Sequence, residues 1–146
     1  MGQTYTQLIV HAVFHTKDNQ NLIQPAFEKN IYEQFKLQFD DLSCPLLEIG
    51  GMPDHVHLLF RMDPKRSIAD VMKQIKGGVS HWINQQDFLS NKFAWQSGYA
   101  AFTVSKSQVD HIRHYILTQK EHHRTMTFKE EYTGFLKLHG LGEGNG

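Results

Sequence analysis

Residues 44–62, CPLLEIGGMPDHVHLLFRM, hold two short apolar runs separated by Gly50-Gly51 and Pro53-Asp54. Short apolar runs bounded by turn residues read as strands. This segment therefore predicts strands over 44–51 and 55–62, joined as a hairpin through the Pro53-Asp54 turn. The second strand carries His55 and His57. Alternate residues of a strand point to the same face, about 7 Å apart. Two imidazoles so placed can grip one divalent metal.

The periodicity of the remaining chain places this hairpin in a larger pattern. Residues 4–16, TYTQLIVHAVFHT, are β-branched, aromatic and partly alternating, as in a central strand. Over 22–39, Phe27, Ile31, Phe35 and Phe39 recur every four residues, which predicts an amphipathic helix. Pro25 suits its first turn. Asp63-Pro64 marks a loop, after which Ser67 caps a second helix reaching about Gln86. Ile68, Val71, Ile75 and Val79 form its inner face, and Gly77-Gly78 weakens it locally while permitting close approach of a ligand or another helix. A loop over 87–98 leads to a fourth strand, GYAAFTVS (98–105). Ser105 or Ser107 caps a third helix over about 108–124, and Thr127 caps a fourth to about 138. The order β-α-β-β-α-β followed by α-α is that of a ferredoxin-like α+β fold, a four-stranded antiparallel sheet with two helices on one face. The chain reads as one domain over 1–139, with GLGEGNG (140–146) a disordered tail.

Composition narrows the setting. No apolar run approaches the roughly 20 residues of a membrane span. Cys44 is the only cysteine, so no intrachain disulfide forms. With no secretory pattern at the N-terminus, a reducing cytoplasm is the expected compartment. Net charge is zero, but it is unevenly spread. Residues 1–59 carry three Lys/Arg against seven Asp/Glu, whereas 60–129 carry eleven against five. That basic stretch is equally compatible with a phosphate-tracking face and with scattered solvated charge.

A His pair alone is half a metal site. The rest comes from HIRHYILTQKEHHR, where Tyr115 and Gln119 sit four apart and share a helix face. His111, Tyr115, Gln119 and His122 make a polar stripe beside the apolar stripe of Val109, Ile112 and Ile116. A helical Tyr is usually core, but a polar stripe carrying one fits a nucleophile. Its free pKa of about 10 demands help from a metal-polarised phosphate or a nearby base. The Gln119 amide oxygen suits Mg²⁺ or Mn²⁺ as a third ligand, with His122, His123 and Asp54 as rivals. Trp95 and Tyr99 either stack on a base or close the core, and the second is the commoner use of such residues. Together these groups point to metal-assisted phosphoryl transfer onto a tyrosine, a chemistry that breaks and rejoins nucleic-acid strands.

Several segments in combination carry a family likeness: a Gly-rich turn leading into PDHVHLLF, KQIKGGVSHWIN, W-x-x-G-Y-x-x-F-x-V-S over 95–105, and YILTQKEHHR followed by TFKEEY. The chain resembles the single-tyrosine HUH transposases, the TnpA-type enzymes of the smallest bacterial insertion sequences, whose relatives include enzymes associated with repeated extragenic palindromes. The resemblance implies His55, His57 and Gln119 as ligands of Mg²⁺ or Mn²⁺, and Tyr115 as the nucleophile forming a 5′-phosphotyrosine link. It also implies single-stranded DNA with hairpin ends as substrate, and a homodimer that permits composite active sites. Arg61, Lys73, Lys76, Arg113, Lys120 and Arg124 are the candidate DNA contacts. The zero net charge departs from a typical DNA-binding protein. The competing readings are a non-catalytic or domesticated binder of hairpins or single strands, and a metallo-phosphoesterase that leaves no protein–DNA adduct.

Overall fold

The computed structural model describes residues 2–138, Gly140 and Leu141. Four strands, β1 (Ile9–His15), β2 (Leu46–Met52), β3 (His55–Arg61) and β4 (Ala100–Val104), pair antiparallel in the order β2-β3-β1-β4. The hairpin expected from residues 44–62 is the β2–β3 pair. β1 is central, with β3 on one side and β4 on the other.

The register divides the residues of β1 and β3 between two faces. Val10, Ala12 and Phe14 lie opposite Phe60, Leu58 and Val56. Their face is covered by α1 (Glu28–Asp41) and α2 (Ile68–Asn84), which bury Ile31, Phe35 and Phe39, and Val71, Met72, Ile75, Val79 and Ile83 respectively. The intervening positions, His11, Val13 and His15, lie opposite Leu59, His57 and His55. The second face thus carries four histidines on two adjacent strands.

Three further helices, α3 (Val109–Leu117), α4 (Gln119–His122) and α5 (Phe128–Leu138), cover that second face. A small cluster of Ile9, Leu59, Val109 and Ile116 holds α3 there. The fold is therefore the ferredoxin-like α+β arrangement with its second face closed by C-terminal helices.

Element boundaries differ from the periodicity in physically explicable ways. α1 begins at Glu28 rather than 22, because the preceding chain is tied to the β2–β3 turn: the Ile23 amide donates to the Pro53 carbonyl at 2.9 Å. β1 begins at Ile9 rather than 4. The helix expected over 108–124 is two pieces. Thr118 departs from helical geometry (φ −102°, ψ 22°), and its hydroxyl donates back to the His114 carbonyl at 2.9 Å. Ser67 caps α2 as expected, accepting the Asp70 amide at 3.1 Å. Thr127 and Glu130 form a reciprocal capping box on α5, in which the Thr127 hydroxyl accepts the Glu130 amide and the Glu130 carboxylate accepts the Thr127 amide. Of the Gly77-Gly78 pair, only Gly78 meets a neighbour, the Gln38 side chain of α1. Trp95 packs edge-on against Phe14 and Phe93, closing the core, while Tyr99 stays partly exposed. From residue 142 onward the expected tail lies outside the described residues. Among the described residues no helix is long and apolar enough to cross a membrane.

Candidate active site

On the second sheet face His55 and His57 are fully buried. Adjacent Nε2 atoms of a strand His pair need a cap from a facing element, and α3–α5 supply it. Gln119, at the start of α4, brings its Oε1 to 2.9 Å from His55 Nε2. Tyr115, near the end of α3, sets its ring edge-on to His57 with centroids 5.6 Å apart. The break at Thr118 does not separate these two side chains: both reach the same carboxylate, Glu131 of α5.

Glu131 is the centre of the cluster. Its Oε1 lies 3.1 Å from His57 Nε2, 3.4 Å from His55 Nε2 and 3.1 Å from His123 Nε2. Its Oε2 accepts from the Tyr115 hydroxyl and, at 3.0 Å, from the Gln119 amide nitrogen. Sequence reasoning missed this residue. The available signal was a carboxylate on the inward stripe of a helix, between Phe128 and Phe135, where an apolar side chain belongs.

The residues fit a divalent cation. His55, His57 and Glu131 each offer one donor atom, all within 4.8 Å of one another and all buried. Two imidazoles, a carboxylate and the nearby Gln119 amide oxygen form a mixed nitrogen and oxygen donor set. Outside the donors, Asp54 Oδ1 lies 2.7 Å from His55 Nδ1 and turns Nε2 toward the centre. Asp54 is therefore behind the His pair rather than in it. Of the other rivals, His123 reaches Glu131, whereas His122 stacks on Tyr115 and meets the Thr118 hydroxyl.

The electrostatics follow from burial of several charges together. Burial opposes a charge on His55, but hydrogen bonds to Asp54, Glu131 and Gln119 outweigh it and raise its pKa. Burial lowers the pKa of His57, overriding the attraction of Glu131. Burial would raise the Glu131 pKa, yet hydrogen bonds from His55 and His57 hold it far below the carboxylate range. Burial and the neighbouring carboxylate raise the Tyr115 pKa, so its phenol is protonated in this arrangement.

Gly50 makes the approach of α3 possible. It pairs with His57 across the hairpin, and a Cβ there would collide with the Ile116 carbonyl oxygen. Because Ile116 follows Tyr115, a side chain at position 50 would push α3, and Tyr115 with it, off the sheet.

The basic candidates are scattered. Arg61 and Lys73 are exposed and make no ion pair among the described residues. Lys76 is committed to the fold, donating to the Gln96 and Gly98 carbonyls at 2.8 and 2.6 Å. Arg113 reaches the Leu47 carbonyl, Lys120 pairs with Glu28, and Arg124 pairs with Glu121. His111, the first member of the polar stripe, is exposed and lines a cavity beside Tyr115.

Comparison with known proteins gives the family and the fold. The family model described as "Transposase IS200 like" matches residues 4–119. Over 75 residues, 48% of this chain, the sequence is 32% identical to the ISDra2 transposase TnpA of Deinococcus radiodurans. The match spans 54% of that relative's length, about half. Two solved structures share the fold. One, assigned as a transposase from Deinococcus radiodurans R1, superposes with a TM-score of 0.62 at 24% identity, over 82% of this chain and 96% of that one. The other is a REP-associated tyrosine transposase bound to a REP hairpin, with a TM-score of 0.62 at 12% identity, over 84% of this chain and 73% of that one. With the family model matched over most of its length, this chain belongs to the IS200-like transposase family.

Proposed function

We propose that the chain is a single-stranded DNA strand transferase, acting as one catalytic domain over residues 1–139. The observation that carries this reading is the shared carboxylate: Glu131 bonds the Tyr115 hydroxyl through one oxygen and faces the His55–His57 pair through the other. The candidate nucleophile and the candidate metal centre are thus one constellation within one chain.

His55, His57 and Glu131, with Gln119 beside them, would hold Mg²⁺ or Mn²⁺. A divalent ion there would supply Lewis-acid polarisation of a phosphate oxygen. Tyr115 presents its hydroxyl beside that centre, with the Gln119 amide and Glu131 fixing its position. Attack of the phenolic oxygen on phosphorus breaks the bond to the 3′ oxygen, leaving a 5′-phosphotyrosine and a free 3′-OH. The phosphodiester is conserved, so a second 3′-OH reverses the step and joins new ends without ATP. Excision needs two cleavages and each chain has one such tyrosine, which supports a homodimer. The likeness to a hairpin-bound tyrosine transposase supports single-stranded DNA with hairpin ends as the partner. Of the basic candidates, Arg61 and Lys73 are exposed and make no ion pair among the described residues, which leaves them available to phosphates. The expected compartment is the cytoplasm.

The test is an adduct assay on single-stranded DNA spanning the ends of the protein's own locus, with Mg²⁺ or with EDTA. A metal-dependent, size-shifted protein–DNA band that disappears in Tyr115→Phe is the expected result. Cleavage without adduct, unchanged in the Phe variant, would establish a hydrolase instead. Binding without cleavage or adduct would establish a non-catalytic binder.

A further inference from the structure

His11 of β1 is buried, at 2% exposure, on the same sheet face as the His pair, and the reading above gives it no task. Its Nε2 lies 2.9 Å from Nδ1 of His57. That is the ring nitrogen pointing away from Glu131. His57 therefore stands between two partners: Glu131 at Nε2 and His11 at Nδ1. The edges of Phe102 and Phe135 pack against the His11 ring, with centroids 6.4 and 5.6 Å away, and hold it in place.

We propose that His11 is a positioning residue for the metal centre, accepting the Nδ1–H of His57 so that the Nε2 lone pair of His57 faces the ion. The proposal rests on the metal reading of the site. A neutral imidazole carries one proton, and Nε2 can serve as a ligand only when that proton sits on Nδ1. A buried Nδ1–H without an acceptor is costly, so the acceptor decides which nitrogen is available. His55 and His57 receive this support differently. Asp54, an obligate acceptor when ionised, faces His55 Nδ1. His57 is backed by an imidazole, which can either donate or accept. With no cation bound, His57 can donate from Nε2 to Glu131 while Nδ1 accepts from His11. With a cation bound, both rings shift their proton from Nε2 to Nδ1, and the same 2.9 Å contact runs in the opposite direction. A carboxylate at position 11 would add a charge to a face that already buries Glu131; an imidazole does not. Outer partners of metal-bound histidines commonly govern affinity by 10–100-fold.

The test titrates Mn²⁺ into the metal-free protein by calorimetry, with the melting temperature of each metal-free variant as the folding control. His11→Phe keeps a planar ring of similar size and removes the acceptor. His11→Gln places an amide oxygen near the position of Nε2. Expected are Mn²⁺ binding weakened about tenfold to a hundredfold in His11→Phe, substantial recovery in His11→Gln, and a single cooperative melting transition kept in both. In the Zn²⁺-loaded protein, ¹⁵N-histidine spectra should show the His57 proton on Nδ1. His57→Ala separates the two levels of the argument. If wild type binds no Mn²⁺, or His57→Ala binds it equally well, the metal reading falls, and the role of His11 with it. If His57→Ala loses binding while His11→Phe matches wild type, or if Phe and Gln are equally impaired, the metal reading stands and His11 is not its positioning residue.

Discussion

The two faces of the sheet are built from alternate residues of the same two strands, yet they are opposites. On one, Val10, Ala12, Phe14, Val56, Leu58 and Phe60 meet the apolar stripes of α1 and α2. On the other, His11, His15, His55 and His57 meet a tyrosine, an amide and a carboxylate from α3–α5. The apolar face gains from removing hydrocarbon from water. The histidine face buries polar groups, and that is tolerable because they hydrogen-bond one another. A rigid apolar layer thus presents a polar constellation held in place from behind.

The sharpest division between the faces comes from single truncations. Phe60→Ala is expected to cost about 3–5 kcal/mol of stability, measured by chemical denaturation. His57→Gln is expected to lose metal binding with a far smaller loss of stability, because it replaces a ring whose charged form burial already disfavours. Equal destabilisation by the two would mean that the histidine face is simply a second core.

Next is Gly50→Ala, which changes neither Tyr115 nor a histidine side chain, although Gly50 pairs with His57 through the backbone. The added methyl collides with the Ile116 backbone and displaces α3. A displacement of the order of 1 Å is expected to cost about a hundredfold in adduct formation, with Mn²⁺ binding by His55 and His57 largely kept. Unchanged adduct formation would show that α3 need not sit where it does.

A third expectation concerns pH. The folded-state pKa of His55 is raised, so its contribution to stability is full below about 6.5 and is lost as pH rises through the folded value. The pKa values of His57 and Glu131 are lowered, so their contributions are present above their ordinary values and are lost as pH falls. The melting temperature of EDTA-treated protein should therefore peak near pH 6.5, and Mn²⁺ should remove the decline on the alkaline side. A steady rise to pH 8.5 without metal would contradict the raised pKa of His55. The smallest effect belongs to the apolar layer's periphery: Ser67→Ala should cost about 1 kcal/mol through loss of the α2 cap, with adduct formation unchanged.

These contrasts also explain what was legible in the sequence. The apolar face was, because Ile31, Phe35 and Phe39 repeat along α1, with Phe27 just before it, and the β2–β3 hairpin is bounded by turn residues. Half of the histidine face was too: His55-x-His57 and Tyr115-x-x-x-Gln119 are local spacings that a strand and a helix convert directly into shared direction. Glu131 and His11 were not. Each reaches the site only through long-range packing, Glu131 from α5 and His11 from a neighbouring strand, and no local period links them to residue 57. The break at Thr118 escaped for a different reason: a single threonine is too weak a helix breaker to mark an end, and the break shows only in its backbone angles and its bond to the His114 carbonyl. The basic run over 60–129 is not one face: Lys76 donates to carbonyls of this chain, while Lys120 and Arg124 pair with its carboxylates at the surface.

The most direct measurement is an anomalous difference map from crystals of the protein grown with Mn²⁺. The account expects one strong peak on the histidine face, within ligand distance of His55 Nε2, His57 Nε2 and an oxygen of Glu131 or Gln119, with the Tyr115 hydroxyl beside it. A peak elsewhere, or a saturated crystal with none between the two histidines, would contradict it.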